Sequence, residues 1–300
     1  MGRECFNMDD RNRKIRQIVT FLLITFASSL LFALLCPWSL MDQTRSSIGT
    51  TIYTFFPAFG TLLTRKLYKE PFTYRTLWLE SPSGKGGQYS LIGWYGVFLI
   101  LVIGHVTFFL FHRAVLNIEG DLTNVRYTLA MTVLVAPAML SGVFLMGEEL
   151  GWRGYLLPKM TAVWGVVPAT IVIGVIWACW HIPLLVIADQ TGPVHYGGAL
   201  HFNWLQMLIT VYIPLCLAMS MICSFVTLKS GTAFAAGCAH ASYNTYISTF
   251  NVFINYGKIT GFSIDRPFYY SILLMLIIGV PMMVHLHRLE KQGNLDLRER

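Results

Sequence analysis

The chain has 300 residues, of which 55% are hydrophobic and only 12% charged, and its mean hydropathy is +0.56. An average soluble domain carries roughly 25% charged residues, so this composition excludes a soluble enzyme or binding module and points to a polytopic membrane protein. The net charge of +7 is no nucleic-acid signal, because the basic residues are distributed loop by loop and form no single patch.

Apolar stretches of spanning or near-spanning length follow one another along the chain: Ile18 to Leu35, Ile48 to Leu67, Tyr89 to Phe111, Tyr127 to Met146, Val163 to Ile187, Trp204 to Leu228, Thr232 to Ile254 and Phe268 to His285. They predict an all-α membrane bundle of about eight transmembrane helices, organised as a single domain over residues 1–300. The first run follows a basic leader and is too long for a cleaved signal segment, so it reads as a retained anchor. If the amino terminus is cytoplasmic, seventeen basic residues fall on that side, among them Arg13, Lys14, Arg65 and Lys69. The other side receives five: Arg45, Arg113, Arg126, Lys258 and Arg266. That asymmetry predicts that both termini are cytoplasmic. The six cysteines include no CxxC and mostly fall within apolar runs, where they read as buried hydrophobes.

Three segments carry polar chemistry inside this apolar background. The first is GEELGWRGYLLPKM, where Glu148 and Glu149 are adjacent. Ionised carboxylates in hydrocarbon cost at least a few kcal/mol, roughly 2.5 to 3.5 for an Asp at a helix centre, so such residues are retained for a use. Neighbouring helical residues point about 100° apart, whereas Glu149 and Arg153 are four apart and share a face. An ion pair between these two leaves Glu148 to face a cavity. The alternative is that the helix ends at Met146 and the acidic pair opens a wet loop.

The second segment is Trp177-Ala-Cys-Trp-His181-Ile-Pro, in the fifth run. Trp177 stands one turn before His181, and Pro183 interrupts the helix just beyond. Broken helices at membrane depth occur where protein packs them or where they line a cavity. The third is His240-Ala-Ser-Tyr-Asn244, preceded by a run of Ala and Gly from Gly231 to Ala239. Small residues permit close helix approach, which puts this helix at the centre of the bundle with His240 and Asn244 on one face. Taken singly, the two histidine segments also read as polar anchors between helices. Together, an acid, two imidazoles and a carboxamide form a set suited to hydrolysis: Glu148 as general base toward water, the histidines as acids or carbonyl polarisers, and Asn244 as an oxyanion donor. No GxSxG elbow and no HExxH occurs, so water is the expected nucleophile.

The order EExxxR, aromatic-xxx-His and HxxxN resembles the CPBP family of intramembrane proteases, also called the CAAX protease or Abi family, with its lysostaphin-resistance-A-like domain. The likeness covers roughly Leu134 to Asn251 and is closest in EELGWRGYLLP. It departs at Trp177, where the family pattern has Phe. The resemblance implies that Glu148 activates water, that His181, His240 and Asn244 line the same site, that Glu149 and Arg153 are a supporting pair, and that the cavity opens to the membrane. It implies a membrane-associated or lipidated protein or peptide as substrate. Glu148, His181 and His240 could also supply a His2Glu set for Zn2+ with one open position. No short-range pair such as His-xxx-His favours metal, and the metal-independent glutamate mechanism is the expectation adopted. Two other classes stay open: a non-proteolytic scaffold or immunity protein of the same family, and a proton-coupled transporter, against which no pair of inverted repeats is visible. His105, His112, His285 and His287 are read as structural or interfacial, and His195 and His201 as residues of an outer loop from Asp189 to Asn203, none of them catalytic.

Overall fold

The computed structural model describes residues 8–37, 46–80, 84–112, 146–191, 203–250 and 267–295. Most of the expected fourth span, the outer loop with His195 and His201, and Asn251 lie outside the described residues. Every regular element among the described residues is a helix. Helix α1 is Met8–Leu35, α2 Ser46–Thr54, α3 Phe56–Leu67 and α4 Lys85–Phe111. Helix α5 comprises residues 146–164, α6 is Val166–Trp180 and α7 Ile182–Thr191. Helix α8 comprises residues 204–230, α9 is Phe234–Phe250 and α10 Pro267–Lys291.

Five helical stretches among the described residues are long and apolar enough to cross a membrane: Met8–Leu35, Lys85–Phe111, Val166–Gln190, Trp204–Ser230 and Phe268–Lys291. The chain is a multi-pass, all-α membrane protein. Its outer surface carries exposed Leu23, Leu34, Leu99, Ile103 and Ile277, an apolar exterior that suits acyl chains and not water.

The expected second span is not one helix. It divides at Phe55 into α2 and α3, and Pro57 stands in the first turn of α3, where its missing N–H costs nothing. Two other prolines follow π-helical turns inside continuous helices. Pro158 follows a π-helical turn at Trp152–Leu156 in α5, and Pro214 follows one at Leu208–Tyr212 in α8. A proline removes one ladder hydrogen bond and crowds the carbonyl four residues earlier. In both helices that earlier residue lies within the π turn, whose wider ring relieves the crowding without ending the helix.

Helix α8 is the hub and packs against α4, α6, α9 and α10, while α9 lies along α4 and α1 covers α3 and α5. The close approach of α9 rests on its small residues. Ala235, Ala236, Ala239 and Ala241 are all buried, and a Cβ on Gly93 of α4 would stand 3.0 Å from the Ala235 carbonyl oxygen. Interhelical hydrogen bonds fix the same contacts: Ser242 Oγ donates to the Trp94 carbonyl at 2.7 Å and Ser220 Oγ to the Thr170 carbonyl at 2.8 Å. Arg65, placed by sequence among the cytoplasmic loop charges, is only 2% exposed, and its guanidinium donates to the carbonyls of Pro71 and Thr76.

Helix α5 sits directly on the α2–α3 break. A Cβ on Gly147 would lie 2.6 Å from the Thr54 carbonyl oxygen, and one on Gly151 only 2.4 Å from Pro57 Cβ. Only glycines one turn apart let α5 approach this closely. Gly151→Ala should therefore lower stability in detergent by about 1–3 kcal/mol through overpacking. Gly96→Ala, where a Cβ meets nothing within 4 Å, is the control that should leave the unfolding midpoint nearly unchanged. Equal midpoints for the two variants would remove this role from Gly151.

Candidate active site

Glu148 and Glu149 lie in a helix, not at the start of a loop, and both are buried. Their side chains go to different places, as their 100° offset requires. Arg153 Nη1 is 3.1 Å from both Glu149 oxygens, and neither side chain is exposed. Glu149 Oε1 also accepts from His240 Nδ1 at 3.0 Å, which ties α5 to α9. Glu148 instead accepts from the indole nitrogen of Trp177 at 2.7 Å, which ties α5 to α6.

Trp177 touches three further members of this cluster besides Glu148. Its ring lies under the Arg153 guanidinium, with 4.6 Å from Cζ to the ring centroid, a cation–π contact in a desolvated setting. The His240 ring meets it edge-on at 4.9 Å. Its carbonyl accepts from His181 Nδ1 at 2.8 Å. Because a carbonyl can only accept, His181 carries its proton on Nδ1 and keeps the Nε2 lone pair for another partner. A carboxylate on His240 Nδ1 imposes the same assignment, with Nε2 turned from Glu149.

The end of α6 places His181. Its N–H turns back to the Ala178 carbonyl at 3.1 Å, α6 stops there, and α7 begins at Ile182 with Pro183 as its second residue. The orphaned Trp180 carbonyl is taken by the Tyr53 hydroxyl at 2.9 Å, and the Trp180 indole nitrogen donates to Ser29 Oγ at 3.1 Å. The break is thus satisfied by side chains from α2 and α1, as a broken helix in a bilayer requires.

Glu148, Trp177, His181, His240 and Asn244 all line one cavity of about 430 Å³. Its remaining wall includes Tyr53, Trp180, Tyr212 and Cys216, which sequence reasoning did not single out. Tyr53 lies far from the motifs in sequence and had no spacing signal. Glu149 and Arg153 sit behind the wall. His105 does not reach the cavity; it is buried in α4, with Nδ1 on the Leu101 carbonyl and its ring against Phe250. His112 pairs with the Tyr270 hydroxyl, and His287 lies near Glu290 on the last turns of α10.

Among the described residues no three His, Cys, Asp or Glu side chains are gathered closely enough to hold a metal ion. The trio Glu148, His181 and His240 shares the cavity wall without forming a ligand set in this arrangement. The described cysteines Cys36, Cys179, Cys216, Cys223 and Cys238 are free thiols.

Residues 124–246 match the family described as type II CAAX prenyl endopeptidase Rce1-like. Over that stretch, which is less than half of the chain, the sequence is similar to that family. All seven residues of the cluster fall inside the stretch. A curated relative, CAAX prenyl protease 2 of Methanococcus maripaludis, is 40% identical over 43 residues. That stretch covers 14% of this chain and 16% of the relative's length.

Since Arg153 is buried and neutralises Glu149, its removal leaves an unpaired buried carboxylate, at an expected cost of about 3–5 kcal/mol. Arg153→Ala should show a large loss of folded protein in detergent. A combined Glu149→Gln, Arg153→Met variant should recover much of that loss, since no charge is then stranded. An Arg153→Ala protein as heat-stable as the parent would contradict the pairing.

Proposed function

We propose that the protein is an intramembrane endopeptidase that hydrolyses a peptide bond of a membrane-associated or lipidated protein or peptide, with water activated by Glu148. The observation that carries this reading is the convergence of one carboxylate, two imidazoles and a carboxamide on a single cavity among apolar helices. The Rce1-like match supports the reaction class. Where prenylated substrates exist, the expected bond is the one that frees a CAAX-type C-terminal tail.

In this mechanism Trp177 holds one Glu148 oxygen, and the other takes a proton from water as its oxygen attacks the scissile carbonyl carbon. Asn244 stabilises the oxyanion with its carboxamide N–H. When the tetrahedral adduct collapses and the C–N bond breaks, the proton taken by Glu148 passes to the leaving amine, directly or through an imidazole. His240 is steadied by Glu149, and His181 by the Trp177 carbonyl. The buried Glu149–Arg153 pair keeps the second carboxylate out of the chemistry. The catalytic core occupies roughly Leu134 to Asn251 within one membrane domain, with both termini cytoplasmic.

Glu148→Gln keeps the shape of the side chain but cannot take up a proton, so cleavage of a lipidated peptide by purified protein should fall by roughly 10²- to 10⁴-fold with folding retained. Retention of more than about a tenth of the parent rate would sink the assignment. On this metal-independent route, exhaustively chelated protein should keep its activity. Stoichiometric metal in the purified protein, with activity restored only on adding it back, would overturn the metal-independent route.

A further inference from the structure

A second hollow, of about 240 Å³ and sharing no wall residue with the first, lies where the start of α1, the end of α3 and the end of α5 meet. Its wall is built largely of charge: Arg13, Lys14, Arg65, Lys69 and Lys159 against Asp10 and Glu70. The two carboxylates are already engaged. Lys14 Nζ is 2.8 Å from Asp10, and Lys159 Nζ is 2.5 Å from Glu70 and 2.9 Å from Gln17 Oε1. Gln17 Nε2 donates to the same Glu70 oxygen at 3.0 Å.

Three cations are left over. Among the described residues Arg13 reaches only the Tyr68 carbonyl, at 3.5 Å. Lys69 is exposed on the rim. Arg65 is the informative one: it is 2% exposed, and among the described residues it makes no ion pair with a carboxylate and its buried Nε has no hydrogen-bond partner. A buried guanidinium with unspent donors in the wall of a cationic hollow favours an anion with several acceptor oxygens. Its surroundings also suit one end of a lipid. Beyond the hollow, α1 continues with exposed Val19 and Leu23, and α3 carries exposed Phe59 and Leu62. These apolar surfaces would lie along acyl chains while the polar end stays at the interface. The charge asymmetry of the chain predicts that this end faces the cytoplasm, the side on which basic pockets between helices meet anionic headgroups.

We infer that the hollow formed by Arg13, Arg65, Lys69 and Lys159 binds the phosphate of an anionic lipid headgroup, seated between α1, α3 and α5. Tyr155 and Lys159 of its wall belong to the helix that also carries Glu148 and Arg153, so an occupied hollow braces that helix. The inference stands apart from the peptidase reading.

The test uses the full chain in detergent, with the unfolding midpoint followed during separate additions of phosphatidylglycerol, phosphatidylcholine and inorganic phosphate. Phosphatidylglycerol should raise the midpoint saturably, and phosphatidylcholine should not. An Arg13→Gln, Lys69→Gln double variant alters only exposed rim residues. It should start from the parent midpoint and lose most of the phosphatidylglycerol response. A matching rise from inorganic phosphate alone would keep the phosphate site but make its source the free anion, overturning the lipid part of the inference. Equal responses to the two lipids, or a full response in the double variant, would overturn it entirely.

Discussion

Glu149 and Arg153 are both without solvent contact, and two charges inside a helical bundle are costly unless each is well partnered. Here the pair is held three ways: by its own contact at one helical turn, by His240 from α9 on the carboxylate side, and by the Trp177 ring from α6 on the guanidinium side. Each of these partners is itself a wall residue of the cavity or touches one. The position of His240 and the orientation of Trp177 therefore depend on a charge pair that never meets the cavity. Remove it, and three helices lose their common reference.

Proline and glycine deliver these side chains to one place. Glycines at 147 and 151 let α5 rest against the break that Pro57 marks between α2 and α3, which brings Glu148 inward. The π turn ahead of Pro158 begins just after Gly151 and contains Arg153, so the strain of the proline is absorbed in the same turn that carries the buried cation. At His181 the helix does stop, and the carbonyl it exposes is met by Tyr53 from the far side of that same break. Irregular backbone is concentrated where polar groups must be presented, and uninterrupted α-helices such as α4 and α10 supply the scaffold around it.

Local relations were legible in the sequence and distant ones were not. The i, i+4 spacing of Glu149 and Arg153, the shared face of His240 and Asn244, and the interruption near Pro183 all follow from helical geometry within a single element. Small residues before His240 announced a central helix because close packing is a property of the segment itself. By contrast, the hydrogen bond from Trp177 to Glu148 spans 29 residues and that from His240 to Glu149 spans 91. No periodicity encodes which helices become neighbours. In sequence Trp177 is placed only by its spacing one turn before His181, although its indole nitrogen serves a different helix. Two signals were present and unused: Pro57, which marks the division of the second span, and the Gly147–Gly151 pair, which marks a close helix crossing. Arg65 misled because a charge near a predicted loop counts as exposed until the backbone carbonyls that receive it are known.

The tryptophan at position 177, where the family pattern has phenylalanine, changes the chemistry available to Glu148. Either ring could cover Arg153 and meet His240 edge-on, so packing alone does not distinguish them. Only indole offers a donor, and that donor holds Glu148 Oε2 at 2.7 Å in a buried setting. A hydrogen bond to a carboxylate there both orients the group and stabilises its ionised form, since charge-assisted bonds are roughly twice as strong as neutral ones. With Oε2 engaged, Oε1 is the oxygen without a protein partner among the described residues, on a side chain that lines the cavity. The same residue thus settles three geometric questions at once: which oxygen of Glu148 is presented, which nitrogen of His181 keeps its lone pair, and where the buried arginine lies relative to both.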